Sequence, residues 1–84
     1  LITGRVQGVF FRANAQSMAK KLLIKGWVNN LTNGNLEIVA EGEEENLQQF
    51  INWCHKGPPG ALVNKVEVTR GEFEGKFSDF SIIY

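Results

Sequence analysis

Two amphipathic segments with helical spacing constrain this chain most, because each helix must bury one apolar face against another element. The apolar face of the first segment is formed by Phe11, Ala15, Met18 (or Ala19) and Leu22. The face of the second is formed by Leu47, Phe50, Ile51 and Cys54. We expect the first helix to run to about Lys25, with Gly26 as its left-handed stop, and the second to run to about Lys56.

Short alternating segments around these helices predict the strands that they cover. Residues 1–3, 27–30, 36–41, 62 to about 70 and 80–84 have the composition or alternation of strands. Asn33-Gly34 favours the positive φ of a type I′ hairpin turn between the second and third strands. The order β-α-β-β-α-β, with an extra strand near the end, predicts an α+β sandwich with two helices on one face of a mostly antiparallel sheet. Among the aromatic residues, we expect the core to hold Trp27, Phe50 and Phe80.

Length and composition favour a single domain and argue against several classes of function. The 84 residues carry nine basic and nine acidic side chains, and this neutrality argues against a nucleic-acid partner. The single cysteine excludes an internal disulfide and a cysteine-rich zinc site. No apolar run approaches the roughly 18 residues of a membrane span, so we expect no membrane partner. The single cysteine is compatible with a reducing setting, and we expect a cytoplasmic monomer. Because the chain opens on Leu1, we expect that further residues precede it.

A glycine-bearing stretch leads directly into the first predicted helix and forms a loop over residues 4–12. It reads Gly4-Arg5-Val6-Gln7-Gly8-Val9-Phe10-Phe11-Arg12. The first amides of a helix have no internal acceptor, and the helix dipole adds about half a positive charge there. Curled backbone N–H groups, a helix start and one arginine together favour an anion, typically a phosphoryl group. Taken alone the pattern is weak, since many glycine-bearing loops only turn the chain.

Together with the second strand, this stretch resembles the acylphosphatase family. The family pattern is G-x-V-Q-G-V-x-F-R, followed later by G-[WY]-[VA]-x-N, which stands here as Gly26-Trp27-Val28-Asn29-Asn30. The likeness continues in order through Asn33-Gly34, Gly57-Pro58-Pro59-Gly60 and Phe77-Ser78-Asp79-Phe80. The resemblance implies a ferredoxin-like βαββαβ fold and one acylphosphatase-like domain over residues 1–84. It also implies hydrolysis of carboxyl-phosphate anhydrides with no metal or other cofactor.

The resemblance further implies roles for individual residues. The family's phosphate-binding arginine matches Arg12, and its water-orienting asparagine matches Asn30. Its phosphate cradle matches the backbone of Val6, Gln7, Gly8, Val9, Phe10 and Phe11. Position 29 is usually basic in the family and is Asn29 here. Because side chains alternate along a strand, only one of the two adjacent asparagines can face the site, and the motif favours Asn30.

An acyl phosphate would suit this short inventory of polar residues. Its carboxylate leaving group departs without a strong general acid, so positioning and charge stabilisation of the phosphoryl group can carry the reaction. We therefore predict an acyl phosphate substrate, with inorganic phosphate as product or inhibitor.

Three other readings compete with this one, and the first two stay open. One is a phosphate-binding module whose catalysis is vestigial, and another is a fragment of a carbamoyltransferase maturation protein. An RNA-binding module is disfavoured because the RNP1 pattern is absent from this neutral chain.

Overall fold

The computed structural model describes residues 1–71 and 75–83, and within them the elements follow the predicted order. The strands are β1 (Ile2–Arg5), β2 (Lys25–Asn30), β3 (Leu36–Glu41), β4 (Leu62–Val66) and β5 (Phe80–Ile83). The helices are α1 (Phe11–Lys21) and α2 (Glu44–Lys56). Tyr84, which we predicted to belong to the last strand, lies outside the described residues.

The five strands form one sheet in the order β4-β1-β3-β2-β5. Neighbours pair antiparallel except β2 and β5, which run parallel from Gly26 opposite Phe80 to Asn29 opposite Ile83. Two helices packed on this sheet make the ferredoxin-like α+β arrangement, as predicted. Neither helix is long and apolar enough to cross a bilayer, among the residues that the structure describes.

The core lies between the helices and the sheet. Its helical members, all 4% exposed or less, are Phe11, Ala15, Ala19, Phe50 and Cys54. The strands contribute the equally buried side chains of Ile2, Val28, Leu36 and Phe80. Each fully buried side chain of the size of leucine or phenylalanine contributes about 1.5–3 kcal/mol relative to an exposed one. The two predicted apolar faces are confirmed, although Ile51 is only half-buried.

Trp27 is only half-buried and does not belong to the core, contrary to the prediction. Along β2 the buried positions are Gly26 and Val28, so the alternation of a strand places Trp27 and Asn29 on the other face. There they stand opposite Val39 and Glu37 of β3. An aromatic residue in a strand therefore did not by itself indicate which face is covered.

Helix α1 ends at Lys21, earlier than the predicted end near Lys25. Leu23 takes a left-handed conformation, with φ 58°. Its N–H donates to the carbonyl of Lys20 (3.2 Å), and the N–H of Ile24 donates to that of Ala19 (2.8 Å). These are the two hydrogen bonds of a Schellman motif, formed here without glycine at the left-handed position.

Gly26 is therefore not the helix stop that the sequence predicted but a residue inside β2. Its φ is 144°, and a Cβ at this position would lie 1.9 Å from the carbonyl oxygen of Val39. The glycine is required because β2 approaches the backbone of β3 more closely than any side chain permits.

The β2–β3 hairpin is confirmed, but its turn is not type I′. The N–H of Gly34 donates to Leu31 O at 3.1 Å, and the N–H of Leu31 donates to Asn35 O at 2.8 Å. Gly34 has φ 93°, whereas Asn33 is not among the residues with positive φ. The left-handed residue thus follows the two central turn positions instead of occupying one of them.

Strand β4 ends at Val66, short of the predicted end near residue 70. Beyond it, Glu67 still donates its N–H to Leu1 O at 2.9 Å. Arg70 pairs instead with Glu44, at the start of α2, through a contact of 2.6 Å between exposed side chains. The chain after β4 therefore leaves the sheet and runs toward α2. Part of the predicted loop over residues 71–79 lies outside the described residues.

Candidate active site

The loop of residues 6–10, called here the glycine loop, joins β1 to the first turn of α1. It is shorter than the predicted loop of residues 4–12, because Gly4 and Arg5 extend β1 and Phe11 and Arg12 begin the helix. Gly8 and Phe10 both take left-handed conformations, with φ 73° and 60°. Left-handed residues within a short loop curl the backbone so that successive N–H groups form a concave donor surface.

The amides of residues 8–11 have no acceptor among the residues that the structure describes. Phe10 is the N-cap of α1, and no side chain caps the helix. In residues 1–71 and 75–83, no backbone carbonyl accepts a hydrogen bond from the amides of Gly8, Val9, Phe10 or Phe11. Because the helix dipole also places fractional positive charge here, the loop presents several donors to an anionic ligand.

Two side chains hold the glycine loop at its ends. The Nε2 of Gln7 donates to Leu31 O at 2.7 Å and to Asn35 O at 2.9 Å, which ties the loop to the β2–β3 hairpin. Asn14 donates to Phe10 O from its Nδ2 (2.8 Å) and from its backbone N–H (3.1 Å). The backbone donors are therefore preorganised by contacts on both sides.

A cavity of about 430 Å³ opens between the glycine loop, the start of α1 and the strands β2 and β5. It is lined by Val6, Gly8, Phe10, Phe11, Arg12, Ala13, Asn30 and Ile82. The fold thus brings Arg12 and Asn30 into one cavity from separate elements. Two of the predicted site residues, Gln7 and Val9, do not line the cavity: Gln7 bonds to the hairpin, and Val9 packs against the core.

The polar side chains of the cavity are a guanidinium group and a carboxamide. Arg12 donates from Nη1 to Ile83 O at 3.0 Å, which holds the guanidinium beside β5. The Oδ1 of Asn30 is buried and has no hydrogen-bond partner within the described residues. A buried acceptor without a donor costs about 1–3 kcal/mol, so a bound donor is expected to satisfy it. Asn30 shares its face of β2 with buried Val28, whereas Asn29 faces the other side.

No side chain that could serve as a general base at neutral pH lines the cavity within the described part of the chain. Burial raises the pKa of the Cys54 thiol to about 12, but Cys54 belongs to the core and not to the cavity. His55 is exposed on α2. Residues 1–71 and 75–83 also hold no group of three or more metal-binding side chains. The arrangement is suited to binding an anion and placing a small polar molecule beside it.

Comparison with known proteins decides the family. The family model described as acylphosphatase matches residues 1–82. This chain belongs to the acylphosphatase family. It is 48% identical over 83 residues to an acylphosphatase of Geotalea uraniireducens, covering 99% of this chain and 91% of that protein. Members of the family are hydrolases, so the chain is assigned to an enzyme family.

Solved acylphosphatase structures share the fold. The crystal structure of the acylphosphatase from Bacillus subtilis is 41% identical and superimposes with a TM-score of 0.95, over 99% of this chain and 92% of that one. The HypF protein of T. kodakarensis is 31% identical with a TM-score of 0.85, over 98% of this chain but only 11% of that one. The same domain therefore occurs both as a short protein and as a small part of a long one.

Proposed function

We propose that this chain hydrolyses acyl phosphates to a carboxylate and inorganic phosphate. The observation that carries the proposal is the buried Oδ1 of Asn30, which has no hydrogen-bond partner in residues 1–71 and 75–83 and lies in the same cavity as Arg12 and the start of α1. An anion site alone would only bind phosphate. An acceptor beside an anion site can also orient a water molecule, and hydrolysis requires that water.

The phosphoryl group would be held by main-chain donors and one cation. The amides of Gly8 to Phe11 lack backbone acceptors in the described part of the chain, and Arg12 can direct a planar fork of N–H donors at two phosphoryl oxygens. Donors that are already oriented stabilise charge without reorganising during the reaction. The loose transition state of phosphoryl transfer mainly needs this combination of positioning and charge stabilisation.

Asn30 would orient the attacking water. A carboxamide is no base at neutral pH, but its oxygen accepts a hydrogen bond and so fixes the water in line with the leaving oxygen. The water oxygen forms a bond to phosphorus, and the bond from phosphorus to the acyl oxygen breaks. The carboxylate leaves with that electron pair, and the water proton passes to a phosphoryl oxygen. The products are a carboxylate and inorganic phosphate.

Hydrolysis of benzoyl phosphate by wild type and variants tests the proposal. We expect Arg12→Ala to lower kcat/KM by about 10³-fold or more and to weaken competitive inhibition by inorganic phosphate. We expect Asn30→Ala to lower kcat by about 10²–10³-fold, with the inhibition constant for phosphate changed by less than about twofold. A phenyl phosphate monoester should turn over far more slowly, because its leaving group is more basic.

Two matched controls separate these roles from general damage. Asn29→Ala changes the neighbouring asparagine on the other face of β2, and Arg5→Ala removes an exposed guanidinium from the end of β1. Both variants should keep kcat/KM within about twofold of wild type. Normal turnover in Asn30→Ala, or a large loss in Asn29→Ala, would contradict the role proposed for Asn30.

A second candidate function is phosphate binding without catalysis, as one domain of a longer protein. The likeness to HypF, of which this chain spans only 11%, favours keeping it. The benzoyl phosphate assay decides between the two, since a binding module would bind inorganic phosphate while turning over no acyl phosphate.

The proposal extends to the oligomeric state and the cellular compartment of the enzyme. We expect the enzyme to act as a monomer. The cysteine is free and buried, which suits the reducing cytoplasm. Sedimentation of the purified protein, compared with its activity at low concentration, tests the monomer.

A further inference from the structure

Two adjacent phenylalanines at the start of α1 lie in opposite environments. The ring of Phe11 is 2% exposed and meets Trp53 edge-on, with centroids 5.3 Å apart. Phe10 is 81% exposed, yet it lines the cavity that holds Arg12 and Asn30. Phe11 is therefore an anchor of the core, whereas Phe10 contributes nothing to the core and stands at the rim of the cavity.

The backbone conformation of residue 10 makes a phenylalanine at this position unfavourable for the stability of the fold. Its φ of 60° lies in the left-handed region, which glycine or asparagine adopts more readily than a bulky aromatic residue. Its ring makes no aromatic contact within the described residues. Folding alone would favour a smaller residue here, so the exposed ring needs an explanation outside the fold.

The backbone that carries this ring is fixed. Two donors of Asn14 hold Phe10 O, and Gln7 ties the preceding part of the glycine loop to the hairpin. The ring is therefore presented at the rim from an ordered position, and a ligand would spend little free energy on ordering the loop.

The remaining lining of the cavity is mainly apolar. Ile82 faces it from β5, and Val6, Phe11 and Ala13 complete the apolar part. Arg12 is the one charged side chain in the lining, among the residues that the structure describes. Because the phosphoryl group would use this cation, a second negative charge on the substrate would meet apolar carbon atoms instead of a second cation.

We infer that Phe10 is a specificity-determining residue, and that the preferred acyl phosphates carry an aromatic or other apolar, uncharged acyl group. The inference rests on the proposed function and concerns the same cavity. The acyl group is joined to the phosphoryl group through one oxygen atom, so it lies at the mouth of a site that grips the phosphoryl group. There the exposed ring of Phe10 covers it, as aromatic and apolar groups pack elsewhere in proteins.

The test is the ratio of kcat/KM for benzoyl phosphate to kcat/KM for acetyl phosphate. We expect wild type to prefer benzoyl phosphate, Phe10→Ala to lower the ratio by about five- to tenfold, and Phe10→Tyr to retain it. A substitution that only disturbed the glycine loop would lower both constants by one common factor. An unchanged ratio in Phe10→Ala would therefore overturn the inference.

Leu23→Ala is the matched control. Leu23 is also a non-glycine residue with left-handed φ (58°) and is 77% exposed, but it lies at the other end of α1 and does not line the cavity. It should leave both rate constants and their ratio unchanged. A change of the ratio in this variant as large as that in Phe10→Ala would also overturn the inference.

Binding of inert analogues separates this inference from the proposed function. Phenacylphosphonate and acetonylphosphonate carry a methylene group in place of the bridging oxygen of benzoyl and acetyl phosphate. If wild type hydrolyses neither acyl phosphate, the proposed function fails. The ratio of the two phosphonate dissociation constants still tests Phe10: a tighter phenacyl complex that Phe10→Ala weakens supports its role, and equal affinities contradict it.

Discussion

At the scale of single residues, Gln7 determines how firmly the glycine loop is held. Its Nε2 is a second donor to two carbonyls of the hairpin, each of which also accepts a backbone N–H, and Gln7→Ala removes both of these side-chain hydrogen bonds. We expect this variant to lose about 1–3 kcal/mol of unfolding free energy, measured by urea denaturation, and to bind inorganic phosphate more weakly. Gln48→Ala, which removes one exposed bond to Asn52, should change stability by less than about 0.5 kcal/mol. Equal losses in both variants would contradict the role given to Gln7.

The buried thiol of Cys54 predicts that the stability of the fold depends on pH. Burial raises its pKa from an ordinary value of 9.0 to about 12, so the folded protein keeps the thiol proton at a pH where the unfolded chain has released it. Stability should therefore fall as pH rises from about 9 toward 12. The loss attributable to this residue is about 1.4 kcal/mol between pH 7 and pH 10. Urea denaturation of wild type and Cys54→Ala checks this, because the variant should lack that part of the pH dependence.

The two polar residues of the cavity were predictable, but their supporting residues were not. The family motifs and the alternation of a strand favoured Arg12 and Asn30, and both line the cavity. The contacts of Gln7 join it to the hairpin across a long stretch of chain, and no local pattern encodes such a contact. Exposure of Phe10 likewise depends on its left-handed φ, which its residue type disfavours.

At the scale of elements, the pairing of β2 with β3 depends on Gly26. We expect Gly26→Ala to lose more than about 3 kcal/mol of unfolding free energy, because its Cβ would overlap the carbonyl of Val39 and force the strands apart. Gly34→Ala is the matched control: its φ is also positive, at 93°, but no atom lies within 4 Å of the added Cβ. It should lose only about 1–2 kcal/mol by urea denaturation. Similar losses of unfolding free energy in the two variants would show that the positive φ, and not the close contact with Val39, explains why residue 26 is a glycine.

The end of α1 shows where sequence patterns were insufficient. Residues 22–25 continue an apolar and basic helical pattern up to a glycine, so the pattern favoured a stop at Gly26. In the fold, burial of Ile24 (2% exposed) and the two bonds of the Schellman motif outweigh the cost of a left-handed leucine. Tertiary packing thus decided the boundary, while the existence and order of the elements followed from local periodicity.

At the scale of the whole molecule, ligand binding should stabilise the fold. The cavity is assembled from the glycine loop, α1, β2 and β5, so only the folded chain presents it. Inorganic phosphate at 100 times its dissociation constant should stabilise wild type by about 2.7 kcal/mol and raise its Tm. Arg12→Ala should lose most of this gain, and Arg5→Ala should keep it. An equal gain in all three proteins would show a general salt effect instead of site binding.

The sheet as a whole was only partly predictable. Alternation of helices and strands favoured the ferredoxin-like core, and the structure confirms it. The alternation of helices and strands did not predict the position of β5, which lies parallel to β2 at the edge of the sheet opposite β4. Which edge accepts a late strand depends on what the completed core leaves open. That information lies in the tertiary arrangement of the other four strands, which no local sequence pattern encodes.

The link between Gln7 and the hairpin has a consequence for how the chain can vary in length. Surface turns ordinarily tolerate added residues, since lengthening a loop costs little entropy. Here Leu31 and Asn35 both serve as fixed acceptors for a side chain from another element. An insertion between them would displace these acceptors and with them the glycine loop that lines the cavity, so natural relatives with this glutamine should keep one spacing at this turn.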